Sequence, residues 1–161
     1  MTYLITQKIK LIKHIFIYLI IFAGCSTRDY SIKSLYIVTI KSPELKYSDL
    51  GTISKSGEDV AIELFAFGNK ILDLKLEKLI TINGNILPPS IFYSKYLKTD
   101  YPDETIKQIF LGQPIFNSKN LKKDDGGFEQ RIDEFIFYKV SSQETLFRDS
   151  KKNITIKFIQ K

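Results

Sequence analysis

Between residues 59 and 83 aliphatic side chains recur at every second position. Val60, Ile62 and Leu64 alternate with Ala61, Glu63 and Phe65, and Leu72, Leu74 and Leu76 alternate with Ile71, Asp73 and Lys75. A period of two places successive side chains on opposite faces of a strand, whereas a helix would scatter these residues around its axis. Gly68-Asn69 separates the two runs and suits a two-residue hairpin turn. Residues 79–82 read as a third strand, closed by Asn83-Gly84-Asn85. Three such strands joined by short turns make an antiparallel meander.

The rest of the chain extends this pattern with one interruption. Residues 36–40 read as a strand ended by Ser42-Pro43, with a polar loop following through Gly51. Leu87-Pro88-Pro89 breaks the alternation, and residues 91–97 suit one or two helical turns. Pro102 opens a better helix, with Asp103 and Glu104 in its first turn and Ile106, Ile109 and Phe110 on one face. Gly112 is its natural stop. Strands return after the turn at Gly126-Gly127: an aromatic-rich one over 132–140, a short one over 144–148 and an alternating one over 154–158. Six or so strands around a small helical segment predict a mainly β (α+β) domain, a curved antiparallel sheet with helices covering one side. Several strands carry large apolar residues on both faces. Either the helices cover the second face, the more common arrangement, or that face lines an apolar cavity.

The first 24 residues are of another kind. Lys8, Lys10, Lys13 and His14 precede an apolar run over 15–23, and Ala23-Gly24 precedes Cys25. A positive start, a short apolar run and small residues at a cleavage site mark an export signal. The uninterrupted run is shorter than the ~20 residues a membrane-spanning helix needs. Phe22-Ala23-Gly24-Cys25 resembles the lipobox of bacterial lipoproteins. That resemblance implies cleavage between Gly24 and Cys25, a thioether-linked diacylglycerol on Cys25 and an N-acyl chain on its new amine. Cys25 is the only cysteine, so no internal disulfide can form. The alternative is an ordinary signal peptide or anchor helix with a chance cysteine. The expected organisation is a signal over 1–24, a lipidated tether over 25–31 and one β-rich domain over 32–161. Ser26 after the cysteine resembles an outer-membrane address, so the expected place is the periplasmic face of that membrane.

Composition removes several functions. The signal takes three of the 24 basic residues, leaving 21 against 18 acidic ones. The nearest thing to a basic stripe, Lys119, Lys122 and Lys123, is followed at once by Asp124 and Asp125 and reads as a solvated loop. No nucleic-acid partner is expected. The one histidine, His14, leaves with the signal, which removes histidine-based nucleophile systems and His- or Cys-ligated metal sites from the mature chain. The acid pairs Asp103/Glu104, Asp124/Asp125 and Asp133/Glu134 suit a helix start, a loop and strand-flanking positions, and adjacent acids point apart rather than converge. Neither an enzyme nor a resident cofactor or metal is expected.

The order of landmarks carries a second resemblance: a strand reaching Gly68, a return through residues 71–74, Leu87-Pro88-Pro89, Tyr96-Leu97, residues 108–111, Pro114, and a closing β-rich part ending at residues 154–156. Over about residues 35–160 the chain is similar to uncharacterised bacterial lipoproteins related to LolB, an outer-membrane lipoprotein receptor. The resemblance implies an unclosed, strongly curved β-barrel with helices plugging its mouth, whose apolar concave surface receives acyl chains of a lipid or lipoprotein. Phe65, Phe67, Leu72, Leu74, Phe110, Phe135 and Phe137 are the candidate lining residues, with membership of a filled core as their plain alternative. A structural or assembly lipoprotein without a ligand is the competing expectation, and a hydrolase built on a carboxylate pair the least favoured.

Overall fold

The computed structural model describes residues 32–161, and the signal, Cys25 and the tether lie outside that span. Eleven strands form one antiparallel sheet. A first meander holds β1 (Ile32–Lys41), β2 (Lys46–Ser56), β3 (Asp59–Ala66), β4 (Asn69–Leu76), β5 (Ile80–Ile82) and β6 (Asn85–Leu87). A second holds β7 (Leu121–Asp124), β8 (Gly127–Ile132), β9 (Ile136–Ser141), β10 (Glu144–Asp149) and β11 (Ile154–Gln160). The two meet where β1 pairs with β11, from Tyr36 opposite Gln160 to Lys41 opposite Thr155. The sheet does not close: β6 and β7 are its edges.

The chain between those edges is the helical segment. It contains α1 (Pro89–Phe92), which runs on as a π-helical turn (Tyr93–Leu97), then α2 (Thr105–Leu111) and a short 3-10 turn (Phe116–Ser118). α2 packs on both β3 and β10, strands separated in the sheet by β2, β1 and β11. Only a sheet curled around the helix can do this. Inward side chains of both meanders therefore merge with the helical segment in one apolar core. Burial of these side chains supplies the main driving force for the fold.

The first meander contributes aliphatic residues to the core, such as Val60, Ile62 and Leu64 on β3 and Leu72, Leu74 and Leu76 on β4. The second contributes rings, with Tyr138 and Phe147 fully buried. Tyr101 of the helical segment meets Phe116 and Phe147 edge-on, with centroids 5.8 and 5.9 Å away. Burial raises the hydroxyl pKa of Tyr93, Tyr101 and Tyr138 well above the ordinary value, so all three stay neutral donors.

Three sequence expectations are corrected. The expected polar loop up to Gly51 is instead β2, paired with β1 on one side and β3 on the other. Its inward positions include Gly51, where a Cβ would lie 2.9 Å from Leu64 Cδ2 and 3.0 Å from Val38 Cγ2, so neighbouring side chains fill the place of its own. The expected loop around Lys122 and Lys123 is the edge strand β7, paired with β8. The strand expected over 132–140 starts only at Ile136: Ile132 ends β8, and Asp133 takes a left-handed φ of 54° in the turn to β9.

Gly127 opens β8 against β9. An added Cβ there would stand 1.9 Å from the Val140 carbonyl oxygen, while one on Gly126 would find nothing nearer than Asp124 Oδ1 at 3.9 Å. Gly127→Ala is therefore expected to destabilise the fold by at least ~2 kcal/mol through backbone displacement. Gly126→Ala should stay within ~0.5 kcal/mol. Urea unfolding of the two variants measures the contrast.

Candidate functional site

Residues 88–98 form a flap over the aliphatic half of the core. Phe92, Tyr96 and Leu97 from the flap meet Ile40, Leu72, Leu74, Ile82 and Ile156 from the sheet, with Ile106 and Phe110 of α2 alongside. These side chains enclose a void of about 20 Å³. That is room for about one water, and the apolar lining offers a water almost nothing to bond.

The two halves of the helical segment are fastened differently. Residues 99–120 are tied to the sheet by hydrogen bonds. The Tyr101 hydroxyl donates to Asp149 Oδ2, and the Tyr138 hydroxyl donates to the Gln113 carbonyl at 3.0 Å. Gln130 Oε1 accepts from the Ile115 amide at 2.9 Å, and its Nε2 donates to the carbonyls of Ile115 and Lys119 at 3.0 and 2.9 Å. Among the described residues the flap holds to the sheet by two polar contacts, both near its C-terminal end. The Ser42 hydroxyl donates to the Tyr96 carbonyl at 2.9 Å, and Lys98 meets Glu44 at 3.4 Å. The Lys98–Glu44 pair is half-exposed on both sides and contributes little. The flap is also joined to α2 by one pivot: the Tyr93 hydroxyl donates to the Asp103 carbonyl at 3.1 Å and accepts from the Ile106 amide at 2.8 Å. Lys98 ends the flap in a left-handed turn, φ 53°.

The seven lining candidates divide. Leu72, Leu74 and Phe110 come together around the void. The other four lie away from it. Phe67 stands fully exposed at the β3–β4 hairpin, with a left-handed φ of 51°. Phe65 follows Leu64 at a bulge, and the Tyr47 hydroxyl bonds its amide and carbonyl. Phe135 is exposed in the β8–β9 turn beneath Lys151. Phe137 points away from its neighbour Tyr138, with Arg131 4.7 Å above its ring. Alternation had put large residues on both faces, and only strand pairing decides which face is inside. Phe92, Tyr96 and Leu97 were not anticipated as lining residues. Their signal was a short apolar spacing just after Pro88-Pro89, and nothing in it indicated what they would face.

The acid pairs have structural surroundings. Glu104 pairs with Lys107 at 2.7 Å, Asp124 accepts from the Gly126 amide, and Asp133 meets Lys119 at 3.3 Å. Among the described residues no cluster of three or more His, Cys, Asp or Glu side chains could hold a metal ion, and no helix is long and apolar enough to cross a membrane. No family model, curated protein or solved structure matches the chain.

On the outer face one carboxylate organises four strands. Glu63 accepts from Lys33 at 2.8 Å, Lys70 at 3.2 Å and Thr52 at 3.1 Å. The hydrogen bond from Lys33 is the main reason its pKa falls from 4.5 to about 2, with Lys70 and Thr52 adding to it against the opposing cost of burial. A depressed carboxyl pKa stabilises the fold above the unfolded group's value, and that gain is lost as pH falls toward about 2. The cluster is largely exposed, so screening keeps the contribution below ~1 kcal/mol. Glu63→Gln is expected to show a small loss of stability at pH 7 that shrinks steadily below pH 4.5, read by urea unfolding across that range.

Proposed function

We propose that the chain is an exported lipoprotein, anchored through acyl groups on Cys25 at the periplasmic face of the outer membrane, and that its concave face takes an acyl chain of a lipid or lipoprotein beneath the flap. One observation carries the reading. A short apolar flap lies on an apolar sheet surface beside a small void, and among the described residues its polar ties to the sheet are confined to Ser42 and Glu44. Lifting it breaks few hydrogen bonds, and an acyl chain can replace the contacts of Phe92, Tyr96 and Leu97. The unclosed sheet with helices over its inner face accords with the LolB-like resemblance of the sequence. The reading needs neither a catalytic residue nor a metal.

A void of about 20 Å³ also favours the ligand-free scaffold, because small-molecule pockets usually measure roughly 300–1,000 Å³. The two readings differ in what the flap does. Hydrogen exchange at the amides of residues 90–98, with and without hexadecanoate, separates them. The carrier reading expects these amides to exchange faster when the acyl chain is present, while those of residues 105–111 keep their protection. Identical exchange in both samples supports the scaffold.

A further inference from the structure

Cross-strand pairing assembles a surface on the outer face of the sheet that the linear sequence scatters. Directly paired residues point to the same side. Lys46 pairs with Lys41, Lys41 with Thr155, Thr155 with Arg148, Arg148 with Phe137 and Phe137 with Arg131. This row crosses six strands, holds four cations and contains no acid. Lys41, Lys46, Arg148 and Arg131 are all exposed. Arg131 has a long contact to Glu129 at 3.4 Å, and among the described residues Lys41, Lys46 and Arg148 have no ion pair. The next row along the strands adds Lys157, paired with Glu144 at 3.0 Å, and Lys139, which stands opposite Glu129.

Directly opposed cations such as Lys41 and Lys46 repel each other and destabilise a sheet unless something anionic lies across them. The row after that is apolar on its first three strands, where Leu50 pairs with Ile37 and Ile37 with Ile159, and it ends on Glu144, the partner of Lys157. Leu50 and Ile37 are exposed, as is Leu35 one step further along β1. By contrast, Lys33 and Lys70 beyond this row are neutralised by Glu63.

We infer that this outer face docks on a bilayer surface rich in anionic phosphate headgroups, the cations meeting phosphates and Leu35, Ile37 and Leu50 entering the headgroup boundary. A basic row beside exposed aliphatic side chains is the combination an interfacial surface needs. RNA would engage the cations and leave the apolar row in water. The inference rests on the envelope reading only for the presence of a membrane, and it does not use the flap.

Lysine acetylation footprinting tests it on the intact chain reconstituted with vesicles. One population is phosphatidylcholine alone and the other contains phosphatidylglycerol. Flotation is read from the same samples. Near an anionic leaflet each basic residue contributes roughly a fivefold gain in attraction. Lys41, Lys46 and Lys139 should therefore label at least about threefold more slowly on the anionic vesicles, an effect lost in roughly 0.5 M salt. Lys95 on the flap and Lys122 on β7 should label equally on both. Lys41→Glu combined with Arg148→Glu, both at exposed sites, should remove the protection of Lys139. Equal labelling of Lys41, Lys46 and Lys139 on both vesicles overturns the inference. So does protection produced only by added RNA. A chain that floats with neutral vesicles and shows equal labelling loses the docking face and keeps the anchor. A chain that floats with neither loses both.

Discussion

Gln130→Ala is expected to lower stability by ~3–5 kcal/mol, the largest effect of any polar substitution in the domain. The Gln130 side chain is fully buried, and its carboxamide treats Ile115 as a strand partner would, accepting from the amide and donating to the carbonyl. Its second N–H reaches the Lys119 carbonyl. A primary amide offers one acceptor and two donors, so every bonding position in use here is matched. Alanine leaves the Ile115 amide and carbonyl and the Lys119 carbonyl without these partners. A buried backbone group left unsatisfied costs about 1–3 kcal/mol, and water entering beside Lys119 offsets part of the sum. The melting temperature should fall on the order of 10 °C. Gln130→Glu should be no better, since its carboxylate would face two carbonyl oxygens. Gln113→Ala is the control. Its side chain is exposed and the domain uses its backbone carbonyl, so calorimetry should find a change within ~0.5 kcal/mol.

The second large effect is at Phe110, which should make the void into a real cavity. The ring is fully buried on α2, stacked on Phe158 with centroids 5.3 Å apart and planes 5° from parallel. It also borders the existing space beneath the flap. Phe110→Ala is expected to cost ~3–5 kcal/mol, combining lost transfer energy with the cavity left behind. A cavity lined by Leu72, Leu74, Ile82 and Ile156 should stay dry and bind a small apolar molecule such as benzene. Benzene should then raise the melting temperature of the variant and leave that of the parent unchanged. Phe67→Ala and Phe135→Ala should have little effect on stability, because both rings are exposed.

The contrast between Phe110 and Phe67 shows where sequence reasoning stops. The meander from β3 to β5 was legible because Val60, Ile62, Leu64, Leu72, Leu74 and Leu76 all keep step with their neighbours. The helix stop at Gly112 was legible for a local reason, its left-handed φ of 72°. β2 was not legible, because its inward positions include Gly51 and its outward ones include Leu50, which weakens the apolar alternation. The pairing of β1 with β11 joins strands more than a hundred residues apart, and no local pattern announces it. The basic row of Lys46, Lys41, Arg148 and Arg131 exists only through that pairing. Gln130 did leave a trace, as a polar residue at the inward position between Phe128 and Ile132. Its partners in residues 115–119 could not be named without the fold.

The separate fastening of the flap and of residues 99–120 links these effects to function. Residues 99–120 owe their place to Gln130, Tyr138 and Asp149, so opening the concave face does not require them to move. Residues 88–98 rest mainly on apolar contact, which an acyl chain can exchange for its own. Substitutions in residues 99–120 should therefore act on global stability, and substitutions in the flap on access to the cavity.

Native mass spectrometry of residues 26–161, gently purified and then offered hexadecanoate, tests the acyl-binding account most directly. The account predicts one acyl lipid per chain, either carried through purification or taken up on addition, released on denaturation and retained by Phe135→Ala. A clean ligand-free mass with no uptake of fatty acid or lipopeptide would contradict it and leave the ligand-free scaffold as the reading.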